Sequence, residues 1–199
     1  RQSKWVENIP TESCVPVKQV INLSDKMDAD GNLNWTPPAG RWVIQRFGYS
    51  STGETSRPTG PLNRGLECDK FNPEAVKFQF KNWYGEFVRR VGPELAGKTL
   101  SMNHSDSWEC GAQTWSPVFR EEFKKRRGYD PVQFLPVTTG IAIGSAEESE
   151  RFLWDYRRTI LDLVVDGFFK TSVALTNETG GLYSSETMAG TMTDALEFY

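Results

Sequence analysis

Apolar positions come in two rhythms along the chain. Short apolar-rich runs bounded by turn residues predict strands at 17–24 (VKQVINLS), 41–49 (RWVIQRFGY), the start of 98–109 (KTLSMNHSDSWE) and 182–186 (LYSSE). Between them the spacing becomes helical. Ala75, Phe78, Trp83, Phe87 and Val91 recur at near-helical intervals after Asn72-Pro73-Glu74, which supplies an N-cap, a proline at the first helical position and an early acid. Gly92-Pro93 predicts the stop. Ser116-Pro117 opens a second helix, 118–127, with acids early and four bases late, as the helix dipole favours. Ser145 and Glu148 form a capping box for a third helix. Its apolar stripe runs through Phe152, Tyr156, Ile160, Leu163 and Phe168 to Val173, and residues 177–181 end it. Trp83, Phe87, Trp154 and Phe168 lie on these apolar faces and are expected in the core.

This order predicts an α/β fold with parallel strands and helical crossovers. Either a doubly wound sheet or a (β/α) barrel fits. No GxGxxG or P-loop is present. A barrel closes with about eight strands. The pattern supplies fewer, so the expectation is a partial (β/α) barrel over 41–199, preceded by a β-rich or irregular segment over 1–40. Its open sheet edges predict self-association.

Composition narrows the chemistry. The chain has 199 residues, 23 Lys+Arg and 26 Asp+Glu, for a net charge of −3. No basic stripe suggests nucleic acid; the run Lys124–Arg127 reads as a solvent-facing helix end. No apolar run approaches the roughly 20 residues of a membrane span. The three cysteines, Cys14, Cys68 and Cys110, form no CxxC, and the one histidine argues against a zinc centre. DADGN (28–32) lacks the glycine position and closing glutamate of a calcium loop and reads as a turn. Aromatic residues reach 13%, with 7 Trp, which suits a core or a sugar-stacking surface.

Barrel enzymes carry function at strand C-termini. Those ends hold Glu67 and Asp69, then Asp106, Trp108 and Glu109, then Glu186. Glu109 and Glu186 occupy equivalent strand ends. Two carboxyl groups across a cleft are what glycoside hydrolysis requires, one protonated to assist the leaving oxygen and one ionised. Acids at strand ends also commonly cap helices or pair with arginine. Asp106, His104, Trp108 and Trp115 are candidate substrate-binding residues, although His104 also suits a hydrogen-bonded position within the sheet. Cys68 and Cys110 read as small buried residues.

The segments PAGRWVIQRFGYSSTGE (38–54), GLECDKFNPEAV (65–76), DSWECGAQTW (106–115), FREEFKKRRGYDP (119–131), FLPVTTG (134–140) and ERFLWDYRRTILDL (150–163) occur in that order. Together they resemble the catalytic region of glycoside hydrolase family 106, the calcium-dependent α-L-rhamnosidases. The resemblance implies a barrel-type domain, here as a fragment, that removes terminal α-L-rhamnosyl groups from oligo- or polysaccharides with inversion. It implies Glu109 as general acid and Glu186 as general base, with the two roles open to exchange. It also implies a calcium ion in the pocket, for which Glu67 and Asp69 are the candidate ligands, and a periplasmic or extracellular setting. The alternative is a non-catalytic carbohydrate-binding or structural fragment with an aromatic sugar platform.

Overall fold

The computed structural model describes residues 9–108 and 111–186. The chain forms two compact units, each discontinuous in sequence: Arg1–Gly48 with Arg120–Arg158, and Tyr49–Phe119 with Thr159–Tyr199.

The second unit carries the sheet. Two parallel strands, β1 (Met102–Ser105) and β2 (Leu182–Ser185), pair in register from Met102 with Leu182 to Ser105 with Ser185. Helices α1 (Pro73–Asn82) and α2 (Tyr84–Val91) precede β1, and α5 (Lys170–Glu178) leads into β2. The cap at Asn72 forms as the sequence predicts: its side chain accepts from the Glu74 amide at 3.1 Å, and Pro73 takes the first helical position. The expected single helix over 73–91 is broken, however. Trp83 leaves helical geometry, with φ −119° and ψ −92°, two residues before the poor helix former Gly85. Gly92, at φ 75°, ends α2.

One face of the strand pair meets helices. Asn103 donates to the Thr176 hydroxyl of α5 at 3.1 Å, and Tyr183 meets Phe169 edge-on at 6.5 Å. Alternation along the strands sends Met102, His104, Leu182 and Ser184 to the other face, where Met102 and Leu182 are exposed. Phe71, Val76, Tyr84, Phe119, Val164 and Phe169 form the core of this unit. Phe119 is sealed by Phe71 and Trp115, with ring centres 6.1 and 4.7 Å away.

In the first unit, rings pack around Phe152. Phe123, Phe134 and Tyr156 lie 6.1, 5.6 and 5.8 Å from it. Helix α3 (Phe119–Arg127) delivers Phe123, and α4 (Ala146–Leu163) delivers Phe152. The Ser145 hydroxyl accepts from the Glu148 amide at 3.0 Å, so the capping signal forms. The Ser149 hydroxyl, though buried, is satisfied by both the amide and the carbonyl of Ile143.

Three expectations are corrected. Residues 17–24 hold a 3-10 turn at Val17–Gln19 and irregular chain up to the next turn, Ser24–Lys26, and 41–49 run without a strand partner among the described residues, with Val43 78% exposed. Strand-like composition does not make a strand unless a neighbouring strand takes its amides. The third helix is not α-helical throughout: a π-helical turn, Val164–Phe169, separates α4 from α5. Trp83, Phe87 and Trp154 are not core; Trp83 is 59% and Trp154 61% exposed. Trp83 and Phe87 instead meet each other edge to face at 5.3 Å. Helical spacing tells which side chains share a face, not whether anything covers it.

Candidate active site

Parallel pairing puts the C-terminal ends of β1 and β2 at the same end of the sheet. The Glu186 amide donates to the Ser105 carbonyl at 3.0 Å. Glu186 therefore leaves β2 beside the point where Asp106 leaves β1, about one strand spacing, 4.8 Å, away. Both side chains are exposed. The Asp106 carboxylate accepts from the amide of the next residue, Ser107, at 2.8 Å. Trp108 follows, half-buried. Glu109 and Cys110 lie outside the described residues.

His104 is exposed on the face away from α5, and its Nδ1 lies 3.2 Å from the Ser184 hydroxyl across the pair. Trp115 points elsewhere: it packs on the buried Phe119. The structure thus brings Asp106 and Glu186 to one rim, with His104 two residues back along β1 and Trp108 two residues on in the sequence. Trp115 belongs to the packing of the same unit.

Glu67 and Asp69 are each engaged by protein groups. Glu67 Oε2 lies 2.5 Å from the Lys70 ammonium. Asp69 Oδ1 accepts from the Phe71 amide at 3.0 Å and from Gln113 Nε2 at 2.5 Å. Its Oδ2 accepts from the Ser116 hydroxyl at 2.6 Å. A hard cation such as calcium wants six to eight oxygens. Among the described residues no group of three His, Cys, Asp or Glu side chains gathers to hold a metal ion, and these two carboxylates do not fit as such a site.

Lys70 is the residue that sequence reasoning missed. Its side chain is 6% exposed, and its ammonium lies 4.7 Å from the Trp108 ring centre and 5.6 Å from that of Phe168. A buried lysine needs such partners, because desolvating an unpaired cation is costly. The only trace in the sequence is the i,i+3 spacing of Glu67 and Lys70. Burial next to this pair pushes the Cys68 thiol up to about 11, so it stays protonated and is no nucleophile at neutral pH.

The alpha-L-rhamnosidase family of glycoside hydrolases, family 106, matches residues 2–197. A protein of Formosa agariphila named as a beta-glucuronidase is 35% identical over 178 residues, covering 89% of this chain and 15% of that protein. A solved rhamnosidase from Novosphingobium sp. PP1Y superposes with a TM-score of 0.76 at 32% identity, over 89% of this chain and 18% of that one. The chain spans less than a fifth of the length of either.

Proposed function

The chain belongs to the alpha-L-rhamnosidase family of glycoside hydrolases, and from that premise we propose that it is part of the catalytic region of an inverting glycosidase acting on terminal α-L-rhamnosyl groups. The observation that carries the reading is the shared rim. Glu186 and Asp106 leave two in-register parallel strands at the same end, and Glu109 follows Asp106 by three residues in the sequence. In this reading Glu109 donates a proton to the glycosidic oxygen as the bond to the anomeric carbon breaks. Glu186 takes a proton from the water that attacks that carbon from the opposite face. The oxocarbenium-like charge of the transition state is met by the ionised carboxylate. The exposure of Glu186 suits the role, since its carboxylate must reach water.

Asp106 and His104 would accept or donate hydrogen bonds to sugar hydroxyls, and Trp108 would line the sugar's apolar side. Calcium enters only through the resemblance. Glu67 and Asp69 are already engaged by Lys70, Phe71, Gln113 and Ser116, and no step here runs through calcium. The partial (β/α) barrel is the finer fold reading. Among the described residues the parallel pair has an exposed face and no further paired strand, which calls for further strands; a polypeptide of family length, or failing that a second copy, would supply them. The substrate setting would be periplasmic or extracellular.

The test uses the native polypeptide that contains this sequence. Glu109→Gln and Glu186→Gln should each lower turnover of an aryl α-L-rhamnoside by roughly 10²–10⁴-fold, the scale of general acid–base catalysis. NMR of the first product should show the inverted anomer. Full turnover in both variants would reject Glu109 and Glu186 as the catalytic pair. A retained anomer would reject inversion. Faster cleavage of an aryl β-glucuronide than of the rhamnoside would reassign the sugar.

A further inference from the structure

His104 and Ser184 face each other in register across the strand pair, with Nδ1 of the imidazole 3.2 Å from the hydroxyl. They stand on the face away from α5. The ladder runs on beyond Ser185, because the Glu186 amide still donates to the Ser105 carbonyl at 3.0 Å. Alternation therefore gives Glu186 the same face as Ser184 and Leu182. Two residues along a strand span about 7 Å, within reach of a single pyranose ring. The open face thus carries three levels. Met102 and Leu182 are apolar and exposed, His104 and Ser184 hydrogen-bond to each other, and Glu186 stands at the rim. His104 is exposed, and among the described residues the Ser184 hydroxyl is the group that meets its ring.

A neutral imidazole carries one proton, so one ring nitrogen donates and the other accepts, and the partner of the first decides the role of the second. We propose that Ser184 is a positioning residue for His104: its hydroxyl donates to Nδ1, keeps the ring proton on Nε2, and so makes Nε2–H a fixed donor to one hydroxyl of the bound sugar. The proposal rests on the reading of this rim as the glycosidase site and deepens it. The direction of the bond follows from what stands above. An ionised carboxylate at the rim only accepts. A sugar hydroxyl between it and the imidazole has one proton, which goes to the carboxylate. The hydroxyl oxygen then takes a donor from the other side, and Nε2–H supplies it. The opposite tautomer would set acceptors on both sides of a single proton, and the acceptor left unpaired would cost affinity. Ser184 does not touch the sugar in this scheme; it acts through His104.

A double-mutant cycle in the native polypeptide that contains this sequence, read as KM and kcat on an aryl α-L-rhamnoside, tests the pairing. Ser184→Ala should raise KM about fivefold, the worth of one net hydrogen bond. Its kcat should stay within about twofold, because the contact holds the bound sugar and the transition state alike. Ser184→Thr, which keeps the hydroxyl, should recover most of the loss. His104→Gln carries an amide N–H that needs no tautomer, so adding Ser184→Ala to it should raise KM no further. The same rise in the glutamine background would make the role of the serine general to the sheet and overturn the proposal. So would an unchanged KM in Ser184→Ala, a fall in kcat alone, or a changed circular dichroism spectrum in that variant. Glu186→Gln separates the two readings. If it keeps full turnover, the rim is not the catalytic site and the proposal falls with that reading. If it loses turnover while Ser184→Ala changes nothing, the pairing of Ser184 with His104 alone fails.

Discussion

Replacing Gly167 by alanine sets two opposed effects against each other. Gly167 lies in the π-helical turn between α4 and α5 and is buried. Helix propensity favours alanine by about 1 kcal/mol, and the unfolded chain loses some freedom as well. A β-carbon, however, would meet the Lys70 and Phe71 carbonyl oxygens at 2.7 and 2.9 Å and the Phe71 carbonyl carbon at 3.0 Å. These are backbone atoms, so no rotamer change relieves the overlap. Either the loop or the helix must shift. Overpacking of this kind costs about 1–3 kcal/mol. Because three backbone atoms crowd one methyl group, we take the upper part of that range. The net effect is then a loss of about 1–2 kcal/mol. Gly85→Ala is the control: its β-carbon would meet one carbonyl oxygen, at 3.2 Å, so the propensity gain should leave it neutral or slightly stabilising. Urea unfolding, followed by tryptophan fluorescence, measures both. A Gly167→Ala protein as stable as the parent, or more so, would show that the loop carrying Lys70 and Phe71 does not press on the helix.

Two further predictions concern ionisation. Burial pushes the Cys68 thiol up to about 11, so iodoacetamide should alkylate it at pH 8 about two orders of magnitude more slowly than an ordinary thiol. Folding stability held by this group is complete below the unfolded thiol's titration and is lost as pH rises towards 11; rapid labelling of Cys68 at pH 8 would contradict its burial. Asp130 is held below the usual carboxylate range, chiefly by hydrogen bonds from Arg120, whose Nη2 lies 2.6 Å from Oδ2. Its contribution is present above the ordinary aspartate range and is lost as pH falls through the lowered value. Arg120→Ala should return the Asp130 titration, read by NMR, to the ordinary range. Because the pair is largely exposed, the stability change should be small and weaker in salt.

Local signals in the sequence were reliable because their physics is local. The caps at Asn72 and Ser145 each form with an amide two or three residues away, and the β1 and β2 runs carry their own composition. The placement of Glu186 at a strand end followed from the same reading. What the tertiary structure decided was pairing and burial. Residues 41–49 have strand composition but no partner to take their amides among the described residues. Trp83 and Phe87 have the spacing of a core face but stay exposed among the described residues. Asp69, read as a metal ligand, spends both oxygens on Phe71, Gln113 and Ser116, and its contacts to Gln113 and Ser116 come from more than 40 residues away. Lys70, unremarkable in the sequence, is buried because Glu67, Trp108 and Phe168 converge on it. Periodicity fixes which side chains share a face; which faces meet, and which charges are thereby taken out of water, depends on contacts between distant segments that no local pattern encodes.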